Sequence, residues 1–264
     1  MINRISTTDI LQKKSKEKII CLTAYSFPMA KILDDFCDII LVGDSLGMAI
    51  YGHKDTIDVT LEMMINHGAA VVKAVKKSFV VVDLPYKTYE DSKEQALESA
   101  RKVIETTKCD AIKIETSLEL IPTVKFLVEN GVNVMGHIGL LPQHVRKIGG
   151  YKYQGRDEKT ATEILKTAKM LEEAGAFALV IEAVPADLAT KITQNISIPT
   201  IGIGASAECD GQVLVIDDLL GFNQEFKPRF VEYYADLKSV ISQAVEKFSQ
   251  DVKLKKFPAD KNLV

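Results

Sequence analysis

Ile39-Ile40-Leu41-Val42-Gly43-Asp44-Ser45-Leu46-Gly47-Met48 is a continuous apolar run that stops at a glycine and then presents a carboxylate, a hydroxyl and a second glycine. An apolar run without alternation marks a strand buried on both faces, as in a parallel sheet covered by helices, and polar chemistry is delivered at its C-terminal end. The same form recurs down the chain. Residues 79–85 end on Asp83, 111–116 carry Lys113 and Glu115 on alternate positions and so on one face, 132–138 reach His137, and 178–183 carry Glu182. With 19–25, 199–205 and 213–218 this makes eight short strands.

Helical patterns separate most of them. Residues 61–75 have apolar positions 61, 64, 65, 68, 72 and 75, Thr60 is placed to cap them, and Ser92 with Gln95 is a capping-box signature. Residues 117–130 stop at Gly131 and residues 161–174 at Gly175. A doubly wound sheet would need two edge strands of more polar, alternating type, so the pattern argues for a single (β/α)8 TIM barrel spanning 1–264 as one catalytic domain. A short helix over 6–14, N-capped by Thr7 or Thr8, is expected to plug the barrel bottom, and 229–248 is expected as the last helix before a mobile polar tail from about residue 250. The seventh connection, 206–212, is too short for a full helix. Residues 52–60 and the glycine-rich 139–156 read as loops at the Asp44 end, the second expected near a substrate.

The chain has 264 residues, 47% hydrophobic, with 33 basic and 36 acidic residues and a formal net charge of -3. No long single-sign block points to nucleic acid or an anionic membrane surface, so small-molecule partners are expected. Cys21, Cys37, Cys109 and Cys209 lie far apart with no CxxC pair, which suits a reducing cytoplasm and indicates neither a disulfide framework nor a zinc site. No signal-peptide core or bilayer-length apolar run is present, and an unexported chain is expected.

Asp44, Asp83, Glu115, His137 and Glu182 all fall at or near C-terminal strand ends, where barrel enzymes assemble sites from different strands. Several carboxylates in one cavity call for a compensating cation, and all-oxygen ligands favour a hard divalent ion such as Mg2+ over zinc. Each acid taken singly could equally cap the next helix or pair with a lysine, Lys113 could be a counter-ion for Glu115, and His137 could be a buried structural histidine. His53, His67 and His144 carry no constellation. Gly202 to Ala205 resembles a phosphate-binding turn, but a lone GxG is equally a close-packing device, and no phosphate is assigned there.

The chain closely resembles the ketopantoate hydroxymethyltransferase family. The matching stretches are 42–48, Gly52-His53 with Thr56 and Val59-Thr60, 83–85, Lys113 to Glu115, 136–143, 149–152 with 154–156, Glu182 with Val184-Pro185, 201–205 and 210–215, in family order over nearly the whole length. The resemblance implies that Asp44 and Asp83 bind Mg2+ directly with Glu115 in the metal shell, directly or through water. It also implies that Asp44, Ser45, Asp83 and Lys113 contact a keto acid, that Glu182 accepts a proton, and that copies assemble as a homo-oligomer, commonly a decamer; His137 stays a candidate for supporting the site from behind its first residues. The implied reaction moves a one-carbon unit from 5,10-methylenetetrahydrofolate to 3-methyl-2-oxobutanoate through a Mg-stabilised enolate, giving 2-dehydropantoate for pantothenate and coenzyme A synthesis. Two competing readings are another Mg-dependent oxo-acid carbon-carbon lyase and a non-catalytic barrel that binds 2-oxo acids. Ser26, Ser206 and Asp217-Asp218 depart from common family residues, and none of them falls on the metal or base positions.

Overall fold

Each strand of the computed structural model pairs in parallel with the next, and the eighth returns to the first to close a barrel. The strands are β1 (Ile19–Thr23), β2 (Ile39–Val42), β3 (Phe79–Asp83), β4 (Ala111–Glu115), β5 (Val134–Gly139), β6 (Ala178–Glu182), β7 (Thr200–Ile203) and β8 (Gly211–Leu214). Ahead of them lies α1 (Thr7–Gln12), and between them lie α2 (Phe27–Leu33), α3 (Leu46–Ala49), α4 (Leu61–Ala74), α5 (Lys93–Thr107), α6 (Ile121–Glu129), α7 (Val145–Ile148), α8 (Glu158–Glu173) and α9 (Ala186–Asn195). β7 and β8 are joined without a helix, as the short seventh connection requires. The structure describes residues 4–222, 228–259 and 262. It separates into two units, Met1–Val215, which holds the barrel, and Ile216–Val264, which holds α10 (Ile216–Leu219) and α11 (Leu237–Lys253).

The barrel interior is filled by alternate strand residues. Cys21, Ile39, Leu41, Phe79, Val81, Ala111, Met135, Ala178, Val180, Ile201 and Val213 form one buried cluster, joined by Ile10 of α1. Ile10 is fully buried, so α1 closes the barrel bottom as expected. Its cap, however, is Ser6. The Ser6 side chain accepts from Asp9 N while the Asp9 carboxylate accepts from Ser6 N, and this reciprocal box outcompetes Thr7 and Thr8, which fall inside the first turn. Continuing the same two-residue alternation toward the strand ends replaces the apolar filling with Asp83, Lys113, Glu115, His137 and Glu182.

Several boundaries differ from expectation, two of them instructively. β8 begins at Gly211, not at residue 213, because Gly211 sits so close to β1 that a Cβ there would lie 2.4 Å from Ile19 O; Asp217 and Asp218 consequently belong to α10. The last helix begins at Leu237, where the Asp236 carboxylate accepts from Ser239 N, although apolar periodicity alone carried it back to residue 229. It runs to Lys253, into the stretch expected as a tail, of which residues 260–261 and 263–264 lie outside the described residues.

Candidate active site

The β3–β4 register sets Asp83 opposite Lys113, and the β4–β5 register sets Glu115 opposite His137. Lys113 Nζ lies 3.2 Å from Asp83 Oδ2, and the same oxygen accepts a 3.1 Å hydrogen bond from Asp44 N. Position 43 is where β2 would continue the interior row. A Cβ at Gly43 would stand 2.9 Å from Ser45 Oγ and 3.6 Å from Asp83 Oδ2, so glycine is what lets the Asp44 turn close over Asp83. Asp83 Oδ1 is buried with no hydrogen-bond partner.

Lys113 also reaches His137, with Nζ 3.4 Å from Nδ1. Burial, reinforced by Lys113, holds the imidazole well below its ordinary pKa and therefore neutral. An ammonium only donates, so Nδ1 accepts and the ring proton resides on Nε2. Glu182 Oε2 lies 3.1 Å from that nitrogen, off the line of a well-formed hydrogen bond. Burial raises the Glu182 carboxyl to about 7 against the opposing pull of Lys113.

Two residues given no role in the sequence complete the floor. Gln143, from the short 3-10 turn Pro142–His144 after β5, is buried; its Nε2 donates to Asp44 Oδ2 at 2.7 Å and to Leu84 O at 3.0 Å. Its main-chain N–H donates to both oxygens of Glu115 at 3.0 and 3.2 Å. Tyr89, fully buried, donates its hydroxyl proton to Gln143 Oε1 at 2.6 Å. His144 Nδ1 lies 3.4 Å from Glu115 Oε2. A conspicuous glutamine in the 136–143 stretch was the only signal in the sequence, because neutral amides and hydroxyls leave no charge pattern.

The rim is built from the two loops. Ser45 Oγ and Tyr25 OH are 2.7 Å apart, and Arg146 grips Asp55 with two hydrogen bonds of 2.8 and 3.2 Å, joining the loop after β5 to the loop after β2. Gly47 faces that second loop: a Cβ there would lie 2.6 Å from Val59 Cγ2 and 3.3 Å from His53 Cδ2, so this glycine serves packing and not the approach of a ligand. His67 bridges Tyr25 O and Tyr51 OH at 2.5 and 3.1 Å, a structural role. Gly202 likewise packs against Cys209 and Gln212.

Whether this floor suits a divalent cation can be judged from its donors. Among the described residues no three His, Cys, Asp or Glu side chains converge closely enough to hold a metal ion as they stand. Glu115 is kept apart by Gln143, whereas Asp44 and Asp83 are neighbours and Asp83 Oδ1 is an orphaned buried oxygen. One or two carboxylates, completed by water, are the donor set Mg2+ ordinarily takes, so this pair with its unpartnered oxygen fits the ion. Burial raises Asp44 and Glu115 and brings Asp83 to about 7, in each case against Lys113. For Lys113 burial works the other way, but Asp83, Asp44 and Glu115 outweigh it and raise its pKa.

These shifts have a sign. A carboxyl with a raised folded pKa holds its proton more tightly when folded, so the stability it contributes is full below about pH 4 and is lost as pH climbs toward 7. A cation at Asp44 and Asp83 replaces that proton. Thermal unfolding should therefore show a larger Mg2+-induced rise in Tm at pH 8 than at pH 5.5, and equal rises at both would contradict it.

A sequence model of the family described as ketopantoate hydroxymethyltransferase matches residues 4–260. The 3-methyl-2-oxobutanoate hydroxymethyltransferase of Paramagnetospirillum magneticum is 51% identical over 257 residues, covering 97% of this chain and 94% of its own. That of Rhizobium etli is 50% identical over 256 residues, with 97% and 94% covered. Among solved structures, a phosphonopyruvate hydrolase in complex with oxalate and Mg2+ superposes with TM-score 0.62 at 11% identity over 98% of this chain and 93% of that one. A 2,3-dimethylmalate lyase of the PEP mutase/isocitrate lyase superfamily gives TM-score 0.58 at 13% identity over 98% and 91%. At such identities these two structures speak to the barrel fold alone.

Proposed function

The chain belongs to the ketopantoate hydroxymethyltransferase family, and we propose that it transfers a hydroxymethyl group from 5,10-methylenetetrahydrofolate to 3-methyl-2-oxobutanoate, giving 2-dehydropantoate. One observation carries the chemistry: Glu182 makes no hydrogen bond to Asp44 or Asp83 among the described residues, faces a neutral imidazole and has its carboxyl raised to about 7, where a general base works best near neutral pH. Asp44 and Asp83 would hold a divalent ion, with Glu115 kept behind them by Gln143. When bound there, such an ion supplies a Lewis acid that neutralises the oxygen made anionic by loss of the C3 proton.

Glu182 Oε2 takes the proton from C3 of the keto acid. His137 Nε2–H faces that carboxylate and limits its rotation, while Lys113 fixes the histidine tautomer. Lys113 and the Ser45 hydroxyl bind the keto-acid carboxylate. The one-carbon unit exchanges its two bonds to folate nitrogens for a bond to C3 and a hydroxyl taken from water, and the proton held by Glu182 and the second proton of that water go to the two nitrogens as tetrahydrofolate leaves. The loop carrying α7, pinned by Arg146 to Asp55, would limit solvent access to the site, so that protons pass to and from C3 by way of Glu182. Incubating the protein with both substrates and Mg2+ should give 2-dehydropantoate, and no product with either substrate omitted. Cleavage of candidate hydroxy acids without folate would favour a lyase instead.

The partners are small molecules and further copies of the chain. α11 exposes Ile241, Val245, Phe248 and Val252 at helical spacing on one face, a stripe suited to a homo-oligomer, for which the family resemblance implies a decamer. Light scattering should give a mass several times 29.2 kDa. Val245→Glu with Phe248→Glu should lower that mass while far-UV circular dichroism is kept. No described helix is long and apolar enough to cross a membrane, and the four cysteines are buried free thiols, in keeping with a reducing compartment such as the cytoplasm.

A further inference from the structure

We propose that Gln143 is a positioning residue that sets the affinity of the site for its divalent ion, with Tyr89 fixing its orientation. The inference rests on the reading of Asp44 and Asp83 as metal ligands and extends it to two neutral residues outside the acid cluster.

The amide orientation follows from its partners. Leu84 O can only accept, so the Gln143 atom 3.0 Å from it must be the nitrogen. That nitrogen then offers its other hydrogen to Asp44 Oδ2 at 2.7 Å, a charge-assisted length. The amide oxygen must face Tyr89, which therefore donates at 2.6 Å. All three contacts are satisfied in one arrangement and in no flipped one. Because Oδ2 is occupied by the amide, Asp44 is held by one oxygen and left with Oδ1 for a ligand. The main-chain N–H of the same residue holds both oxygens of Glu115, so one residue determines what Asp44 offers and keeps Glu115 from collapsing onto the pair.

The energetic case is one of preorganisation. Asp44 and Asp83 are both nearly buried and repel one another, and without a restraint the Asp44 carboxylate would turn away from Asp83 or take up a proton. A buried amide held at both ends supplies that restraint, and outer-sphere hydrogen bonds of this kind typically govern about 10–100-fold in metal affinity. Tyr89 makes no hydrogen bond to Asp44 or Asp83 among the described residues; its hydroxyl proton goes to Gln143, which makes the amide its direct link to Asp44, while the Glu115 main chain also hydrogen-bonds Tyr89.

The test is calorimetric titration of the metal-free full-length protein with Mg2+ and with Mn2+, in the absence of both substrates. Gln143→Ala should weaken both ions about 10–100-fold, and Tyr89→Phe, which removes a single oxygen, should weaken them by a smaller factor. In the Gln143→Ala background, Tyr89→Phe should cost no further affinity, since the route through the amide is already cut. A purely structural role would instead lower the Tm of the metal-free protein and leave the dissociation constants unchanged, which would overturn the proposal, as would additive effects of the two substitutions on affinity. Should Gln143→Ala fold poorly, Tyr89→Phe alone decides, because an unchanged Mg2+ affinity there removes the amide clamp. If the parent protein itself binds neither ion, the metal-ligand reading has failed; if the parent binds and the variants bind equally, only the role of Gln143 has.

Discussion

Glu182→Gln should bind Mg2+ and 3-methyl-2-oxobutanoate within a few-fold of the parent protein, yet lose exchange of the C3 proton with solvent by at least about 100-fold and up to about 10,000-fold. The amide matches the carboxylate in shape and can still face His137 Nε2, but it has no lone pair basic enough to take a proton. Product formation should fall in parallel, because no carbanion is available to meet the folate carbon. The pH dependence of the parent has a definite sign. Only the ionised carboxylate is a base, so exchange should rise with pH and level off at or below about 7, the value to which burial raises Glu182, since a cation at Asp44 and Asp83 would add to the downward pull of Lys113. Nuclear magnetic resonance of the C3 methine signal in deuterated buffer reads both effects. Undiminished exchange in the variant would remove Glu182 from the reaction.

Asp44→Ala should produce the complementary phenotype. Here binding fails: Mg2+ affinity should drop by about 100-fold or more and keto-acid affinity with it, because an ion held by Asp44 and Asp83 would itself bind the substrate oxygens. Loss of the carboxylate also leaves the Gln143 amide with Leu84 O as its remaining acceptor and leaves Asp83 alone beside Lys113. C3 exchange should then fall by about 1,000-fold or more at Mg2+ concentrations that saturate the parent, with partial recovery when the ion is raised. Calorimetry separates this variant from Glu182→Gln, as one loses the ligand and the other loses the chemistry. Unchanged Mg2+ affinity in Asp44→Ala would take Asp44 out of the metal site.

Much of this arrangement was legible in the sequence for a simple geometric reason. A parallel barrel strand has a two-residue period and a fixed end at which loops form the site, so an acid closing an apolar run has few places to go. Asp83, Lys113, Glu115, His137 and Glu182 sit on the inner rows of their strands, and Asp44 follows the glycine that ends β2. Gln143 and Tyr89 were not legible in the same way. Each comes from an irregular segment, neither is charged, and their meeting depends on how the loops after β3 and β5 descend into the barrel mouth. The misplaced starts of β8 and α11 share a cause: β8 starts on a glycine and a glutamine, and α11 starts at a single capping aspartate, both of which apolar periodicity overlooks. The second glycine of the opening stretch, Gly47, is likewise explained only by the fold, where it packs against Val59 and His53.

The Asp44–Asp83 pair and Glu182 should together deprotonate C3 of a 2-oxo acid before any one-carbon unit is involved. The most direct measurement is deuterium exchange at C3 of 3-methyl-2-oxobutanoate in the parent protein, with and without Mg2+ and with folate absent throughout. Exchange that requires the ion and proceeds without folate is the predicted result. No exchange in the presence of Mg2+, or equal exchange after its removal by a chelator, would contradict the account.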